Sequence, residues 1–128
     1  MYYFSSDWHL DHANNIVYSA RKWALNDEWQ AIYEKVKGLP RAEFKTGWRP
    51  PTEVIDGHNM AIINNTNKVV GENDTLFLLG DLLFARRDRF AQRLQELRSK
   101  IKCKNVVLTL GNHDRELRAA NPGVQHAD

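Results

Sequence analysis

The sequence predicts an α/β fold built on a parallel or mixed sheet. Short runs of aromatic and aliphatic residues, which are typical of buried strands, alternate with longer stretches whose apolar residues recur at helical spacing. This alternation is the pattern of strand, helix and strand units. Each of three apolar runs is also followed by residues that can bind metal, as at strand ends that line a ligand site.

The three predicted strands are YYFSS at residues 2–6, TLFLLG at 75–80 and NVVLTLG at 105–111. Apolar side chains occupy both alternating sets of positions, so each run is predicted to be a central strand, buried on both faces. Cys103 lies just before the third strand. It is interpreted as a small packing residue, because a single thiol cannot form an internal disulfide.

Two helices are predicted between the first and second strands. The first covers residues 26–37 and ends at GLP, and its apolar stripe consists of Trp29, Ile32, Tyr33 and Val36. The second is predicted to begin after Thr52 as N-cap, with Glu53 in its first turn. Its buried residues are expected to be Ile55 and Ile62, with Asn59 and Thr66 as further candidates.

A third helix is predicted between the second and third strands, in RRDRFAQRLQELRSKI at residues 86–101. Its apolar residues fall at helical spacing, with arginines and glutamate on the other face; they are Phe90, Leu94, Leu97 and Ile101. Because it joins two predicted strands, we expect this helix to be a crossover between them.

Composition indicates an ordinary soluble domain. The 128 residues are 42% hydrophobic and 27% charged, the profile of one domain with a core of its own. No run approaches the roughly 18 apolar residues of a membrane span, and the N-terminal sequence lacks the features of a signal peptide. We therefore expect a cytoplasmic protein with no membrane partner. The net charge of +2 neither indicates nor excludes a nucleic-acid partner.

Residues that can bind metal follow every predicted strand. The first strand leads to Asp7 and His9, the second leads to Asp81, and the third leads to Asn112, His113 and Asp114. Each motif alone is common in turns. However, the carboxyl ends of parallel strands meet at one edge of a sheet, so these groups are expected to converge. Carboxylate, imidazole and amide oxygen together predict a site for a divalent cation.

Two residues near these motifs are interpreted as structural. Alternation along an extended strand predicts that Asp7 and His9 point the same way, whereas Trp8 between them points into the core. His58 falls inside the second predicted helix, where we interpret it as a satisfied histidine at or partly below the surface. It is not predicted to bind metal.

The motifs DWH, GD and GNHD resemble the first three motifs of the calcineurin-like metallophosphoesterases. In small bacterial and phage phosphohydrolases of this type, the first motif often continues as Asp-x-His-x-Gly-His-x-Asn. This chain has DWHLDHANNI, with His12 where the second histidine falls, and NKVVGENDTLFLLGDLLF is also similar to that subgroup. The resemblance covers residues 1–20 and about 52–116.

This resemblance implies a hydrolase with two divalent metal ions, Mn²⁺ being the expected metal and Fe, Zn, Ni or Mg the alternatives. Asp7 and His9 would hold the first metal, Asp81 would bridge, and Asn112 would hold the second. A metal-bound hydroxide would then attack a phosphodiester or phosphomonoester, a nucleotide being one candidate substrate.

Three further residues receive roles from the resemblance. His113 is expected to be catalytic and to contact the substrate, either as general acid or as a charge on the leaving oxygen. Asp114 would orient that imidazole or hydrogen-bond the loop. For His12, a substrate contact and a packing role are equally compatible with the sequence.

The resemblance also implies a four-layer αββα sandwich, of which residues 1–128 would form a single, partial domain with only the N-terminal sheet and helices. The later histidine motifs of the family are absent, and NPGVQHAD is typical of a turn that enters another strand. We expect an apolar sheet face that is covered by a missing C-terminal segment or by a homodimer partner. The alternative is a non-catalytic binding or assembly module with an incomplete metal site.

A helical insertion is predicted at about residues 21–51. Its seven basic and four acidic residues give a charge of +3, and tryptophans lie among them. This composition is compatible with binding a nucleotide or nucleic acid. The favoured interpretation is that the tryptophans attach a surface insertion to the core and that the charges are solvated; the residues concerned are Arg21, Lys22, Trp23, Trp29, Lys35, Lys37, Arg41, Lys45, Trp48 and Arg49.

Overall fold

The structure is a computed structural model that describes residues 1–18, 21–36 and 50–109. Its sheet contains β1 (Tyr2–Ser5), β2 (Thr75–Leu79) and β3 (Asn105–Thr109), all parallel and in the order β1-β2-β3. The prediction of an α/β fold with a parallel sheet is confirmed. Both β1 and β2 end one residue earlier than predicted, because the next residues enter loops with a different backbone conformation.

The helices of the described residues are α1 (Ala13–Tyr18), α2 (Asp27–Val36), α3 (Thr52–Val69) and α4 (Phe90–Arg98), with a 3₁₀ turn at Lys22–Ala24. The three helices expected from apolar periodicity are confirmed, whereas the short α1 was not predicted. None of the described helices has the length and apolar character of a membrane span.

The start of α3 differs from the prediction that Thr52 is the N-cap. Pro51 occupies that position, and its carbonyl oxygen accepts hydrogen bonds from the backbone N–H groups of Val54 (3.0 Å) and Ile55 (3.2 Å). Thr52 is instead the first helical residue. The buried face is also rotated: Ile55, Ile62 and Thr66 are half-buried, and the buried residues are Val54, His58, Asn59 and Ile63.

The main core lies between one face of the sheet and the helices α3 and α4. Leu76 and Leu78 of β2 meet Phe90 and Leu97 of α4 there, and Ile63 of α3 contributes from the same side. The predicted apolar face of α4 is therefore confirmed. Cys103 is buried beside β3, where its thiol donates to the carbonyl oxygen of Asp74 at 3.0 Å, in agreement with a packing role. A second cluster contains Ile16, Leu25, Tyr33 and Val54.

The opposite face of the sheet is apolar and open among the described residues. Tyr2 and Phe4 are 70% and 65% exposed. Phe4 stacks on Phe77 with 5.0 Å between ring centroids, and Tyr2 meets the same ring edge to face at 6.0 Å. The strands are apolar on both faces, as predicted, but one face is open among the described residues. The prediction that all three are central strands is wrong for this sheet, because β1 and β3 are its edge strands in the described residues. An uncovered apolar face agrees with the expectation of a one-sided sheet.

Candidate metal centre

Two loops at the carboxyl edge of the sheet remain paired after β1 and β2 end. We call residues 7–12 the ligand loop, and residues 80–84 run beside it. Asp7 N donates to Gly80 O at 3.1 Å, His9 N donates to Asp81 O at 3.0 Å, and Leu10 N donates to Leu82 O at 2.9 Å. These hydrogen bonds bring the predicted ligands from the first two motifs side by side.

The predicted ligands share an unusual backbone conformation. Asp7, His9 and Asp81 have φ values of 54°, 48° and 51°, in the left-handed region that non-glycine residues rarely adopt. The convergence of Asp7 and His9 was predicted from strand alternation, and this reason is wrong, because β1 ends at Ser5 and the left-handed turns direct both side chains. Such conformations persist only where the surroundings hold them, and they are common at functional sites.

The side chains of Asp7, His9 and Asp81 each offer one ligand atom, and these atoms all lie within 4.8 Å of one another. Nε2 of His9 is 3.8 Å from Oδ1 of Asp7, whose other oxygen accepts a hydrogen bond from the Ser6 hydroxyl at 2.8 Å. Two carboxylates and an imidazole are suitable ligands for a hard or borderline divalent cation. The donor set therefore fits a metal ion.

Trp8 and His12 lie on either side of this site. Trp8 is buried in the main core, as predicted, and its indole N–H donates to the Ser5 hydroxyl at 2.7 Å. The imidazole of His12 places its Nδ1 3.3 Å from Nδ1 of His9 and stacks on Phe84, with 4.3 Å between ring centroids. His12 is thus a direct neighbour of a predicted ligand, which leaves both of its predicted roles in place.

Arg21 stabilises the backbone of the ligand loop through two hydrogen bonds. Its Nη2 donates to the carbonyl oxygen of Asp7 and its Nη1 to that of Trp8, both at 2.7 Å. Partial burial lowers the pKa of this guanidinium, and the charge of Asp7 opposes that shift. The sequence grouped Arg21 with the solvated cations of the insertion, so its structural role was missed.

His58 is fully buried, in contrast to the prediction of a surface or partly buried position. Its Nδ1 lies 3.1 Å from Oδ1 of Asn59, an atom that only accepts, so Nδ1 carries the proton. Nε2 then accepts from Nη1 of Arg21 at 2.7 Å. Trp23 stacks on the ring with 5.2 Å between centroids, which agrees with tryptophans attaching the insertion to the core. Burial lowers the pKa of His58. The hydrogen bond with Asn59 opposes this shift, and the charge of Arg21 adds to it.

Asp11 connects the ligand loop to α3 and α4. Its carboxylate accepts two hydrogen bonds from Arg93, from Nε at 2.6 Å and from Nη2 at 2.9 Å, and one from Nδ2 of Asn59 at 2.7 Å. The hydrogen bonds with Asp11 raise the pKa of Arg93. Sequence reasoning missed this cluster, although Asp11 stands where the related motif has glycine, which was a usable signal.

The third motif lies outside the described residues, and so do the predictions for Asn112, His113 and Asp114. The strand that precedes it, β3, is parallel to β2 over five residue pairs, from Thr75 with Asn105 to Leu79 with Thr109. The chain therefore leaves β3 at the same edge of the sheet as Asp81. The part of the insertion that contains Trp48 and Arg49 is also outside the described residues.

The chain was compared with protein-family models, curated proteins and solved structures. The family model for calcineurin-like phosphoesterases matches residues 2–126. A search of curated proteins found no match. Among solved structures, the chain is similar to the crystal structure of a protein of unknown function, AQ665 from Aquifex aeolicus, with 21% identity and a TM-score of 0.49. That alignment covers 93% of this chain and 47% of that protein, so the chain spans about half of its length. Because the family model spans nearly all of its residues, the chain belongs to the calcineurin-like phosphoesterase family.

Proposed function

We propose that this chain is a metal-dependent phosphoesterase that hydrolyses a phosphodiester or a phosphomonoester. The observation that carries the proposal is the convergence of ligand atoms from Asp7, His9 and Asp81 within 4.8 Å of one another. Two carboxylates that are held this close repel each other unless a cation or a proton compensates them. Membership of the phosphoesterase family supports a phosphate ester as the substrate class.

In this proposal the ligands serve two cations. Asp7 and His9 would hold the first, Asn112 would hold the second, and Asp81 would serve both, since a carboxylate shared by two cations offsets their repulsion. Mn²⁺ is the proposed metal and Fe, Zn, Ni and Mg are the alternatives, since the donor set suits hard and borderline ions. When bound, such cations polarise the oxygens of a phosphoryl group and lower the pKa of water.

His12 fixes the tautomer of His9 in this proposal. For Nε2 of His9 to offer its lone pair on the side of Asp7, the imidazole proton must lie on Nδ1. That proton is then donated to Nδ1 of His12, 3.3 Å away. Hydrogen bonds of this kind orient metal-binding histidines and strengthen them as ligands.

The remaining roles concern the substrate. His113 protonates or electrostatically stabilises the leaving oxygen, and Asp114 orients its imidazole. A nucleotide is one candidate substrate. In the described part of the basic insertion, Arg21 donates to the protein's own carbonyl oxygens, which supports an attachment role for it in preference to substrate binding. Trp23 stacks on His58 but is 57% exposed.

The test is hydrolysis of bis(p-nitrophenyl) phosphate and p-nitrophenyl phosphate with added Mn²⁺, together with calorimetric counting of bound metal. Wild type is compared with Asp81→Asn and with Asp88→Asn, a matched change of an exposed carboxylate that pairs with Arg86. We expect Asp81→Asn to lose both metal binding and turnover, and Asp88→Asn to keep both.

Each outcome has a defined meaning. Turnover that needs Mn²⁺ and Asp81 supports a phosphoesterase. Metal binding without turnover of either ester favours the alternative function, a non-catalytic binding or assembly module. A chain that binds no Mn²⁺, or binds it equally well after Asp81→Asn, contradicts the proposed metal centre.

A further inference from the structure

We propose that Arg93 is a positioning residue for this metal centre and that it acts through Asp11, by holding the ligand loop in its left-handed conformation. This inference rests on the proposed function. It concerns residues that bind neither metal nor substrate in that proposal, and it predicts that they set the metal affinity.

The first step is the conformation of Asp11. Its φ of 61° lies in the left-handed region, which favours glycine because glycine has no Cβ to collide with the backbone. Asp11 is two residues from His9, and the backbone N–H of His12 donates to the carbonyl oxygen of His9 at 3.1 Å across it. If the backbone of Asp11 left its left-handed conformation, it would therefore displace His9. Asp7 would be displaced with it through the paired backbone.

Arg93 and Asn59 hold Asp11 in this conformation by hydrogen bonds. Arg93 binds both carboxylate oxygens of Asp11, in the bidentate geometry that makes arginine–carboxylate pairs strong. Asn59 binds the same residue twice: its Nδ2 donates to Oδ1 at 2.7 Å, and its Oδ1 accepts from the backbone N–H of Asp11 at 3.2 Å. The side-chain and backbone groups of Asp11 are thus fixed together.

The two residues that hold Asp11 are themselves held by helices of the main core. Arg93 comes from the middle of α4 and Asn59 from the middle of α3, and both helices pack on the main core. Only about a quarter of the Arg93 side chain and a fifth of the Asp11 side chain are exposed, at 24% and 18%. The loop is therefore tied to two core helices by partly buried, charge-assisted hydrogen bonds, which keep their geometry better than exposed ones.

A competing explanation is that the pair only ties α4 to the protein. Two substitutions of Asp11 separate these explanations, because Asp11→Ala and Asp11→Gly both remove the carboxylate but only glycine adopts a positive φ without strain. If the pair only tied α4, the two variants would have equal metal affinity. If the pair holds the loop conformation, Asp11→Ala should bind metal at least about tenfold more weakly than Asp11→Gly.

The experiment is calorimetric titration of the full chain with Mn²⁺. We expect Arg93→Met to weaken binding by about 10- to 100-fold, the usual cost of losing a group that orients a metal ligand. Adding Asp11→Gly to Arg93→Met should recover most of that loss. Arg98→Met is the matched control, since Arg98 lies on the same helix and, among the described residues, donates to the carbonyl oxygens of Ile101 and Lys104. It should bind Mn²⁺ as wild type does.

Far-UV circular dichroism of each metal-free variant verifies the fold. If Arg93→Met does not fold, Arg93→Lys replaces it, because lysine keeps the charge but cannot form the bidentate contact with the Asp11 carboxylate. Wild-type affinity in the folded Arg93 variant, or equal affinities of Asp11→Ala and Asp11→Gly, overturns the inference. The absence of Mn²⁺ binding in wild type contradicts the proposed function itself, and this inference then fails with it.

Discussion

His58 is a buried histidine whose protonation state is fixed by its neighbours. With Nδ1 donating to Asn59 and Nε2 accepting from Arg21, a second proton would have to displace the guanidinium. The pKa of His58 is lowered from its ordinary value of 6.5, mainly by burial. The folded state thus binds this proton less well than the unfolded state, so stability is complete above pH 6.5 and is lost as the pH falls towards the folded pKa.

We therefore expect the free energy of unfolding to fall between pH 7.5 and 5.5, with a contribution from His58 of at most about 1.4 kcal/mol per pH unit. Urea unfolding of metal-free protein at several pH values measures this slope. The variant His58→Gln should have a smaller slope over the same range. Equal slopes in the two proteins would show that His58 is not the group that titrates.

The residues of the site differ in how far the sequence could predict them. Asp7, His9 and Asp81 were predicted because they follow the predicted strands directly. The parallel pairing of β1 and β2 brings their backbones together, as expected, but the left-handed conformation that directs their side chains was not predicted. Asn59 and Arg93 were missed because their partner, Asp11, is 48 and 82 residues away along the chain. Periodicity indicates that a helix has a polar position, but it does not identify the distant polar group that the position meets.

β2 has a buried side and an open side, and neighbouring leucines distinguish them. Leu78 is fully buried in the main core, whereas Leu79 is 49% exposed. We expect Leu78→Ala to lower the free energy of unfolding by about 2 to 5 kcal/mol, since it leaves a cavity between the sheet and α4. Leu79→Ala should change it by less than about 1 kcal/mol. Urea unfolding of both variants measures the difference, and similar losses would contradict this description of the sheet.

The helices and strands were predictable where apolar periodicity is strong, as in α4, and less so at their ends. β1 is one residue shorter than predicted because the chain leaves the extended conformation before Asp7, which is left-handed. The buried face of α3 was only partly predicted. Asn59 was a candidate and is buried, whereas His58 was not expected to be fully buried, because its polarity gives no apolar signal. A buried polar residue such as His58 is held by hydrogen bonds, which apolar periodicity does not reveal.

At the scale of the whole molecule, the proposed metal binding would be linked to folding. If Asp7, His9 and Asp81 hold a cation only when β1 and β2 are paired, Mn²⁺ binds the folded state and stabilises it. At a free Mn²⁺ concentration of 100 times Kd, the free energy of unfolding should rise by about 2.7 kcal/mol. Chemical unfolding with Mn²⁺ and with chelator measures this gain. The gain should vanish in Asp81→Asn, and a gain that persists there would place the binding elsewhere.

The fold class and the family were predictable for the whole molecule, because the motifs at the strand ends indicate both a parallel sheet and the family. The exposure of the second sheet face was predictable only through the resemblance, since the strands are apolar on both sides. Tyr2, Phe4 and Phe77 look like core residues in the sequence, and among the described residues no layer covers them.

The pairing of β1 with β2 also has a consequence during synthesis. Tyr2 pairs with Thr75, so the first strand must wait for a partner that is translated 73 residues later. At 5 to 20 residues per second, this delay is roughly 4 to 15 seconds. During that time the aromatic strand β1 cannot yet pair with β2, and closing the connection between the two strands costs conformational entropy. The ligand loop can form only after this step, so residues up to 84 must be synthesised before the proposed metal ligands Asp7, His9 and Asp81 come together.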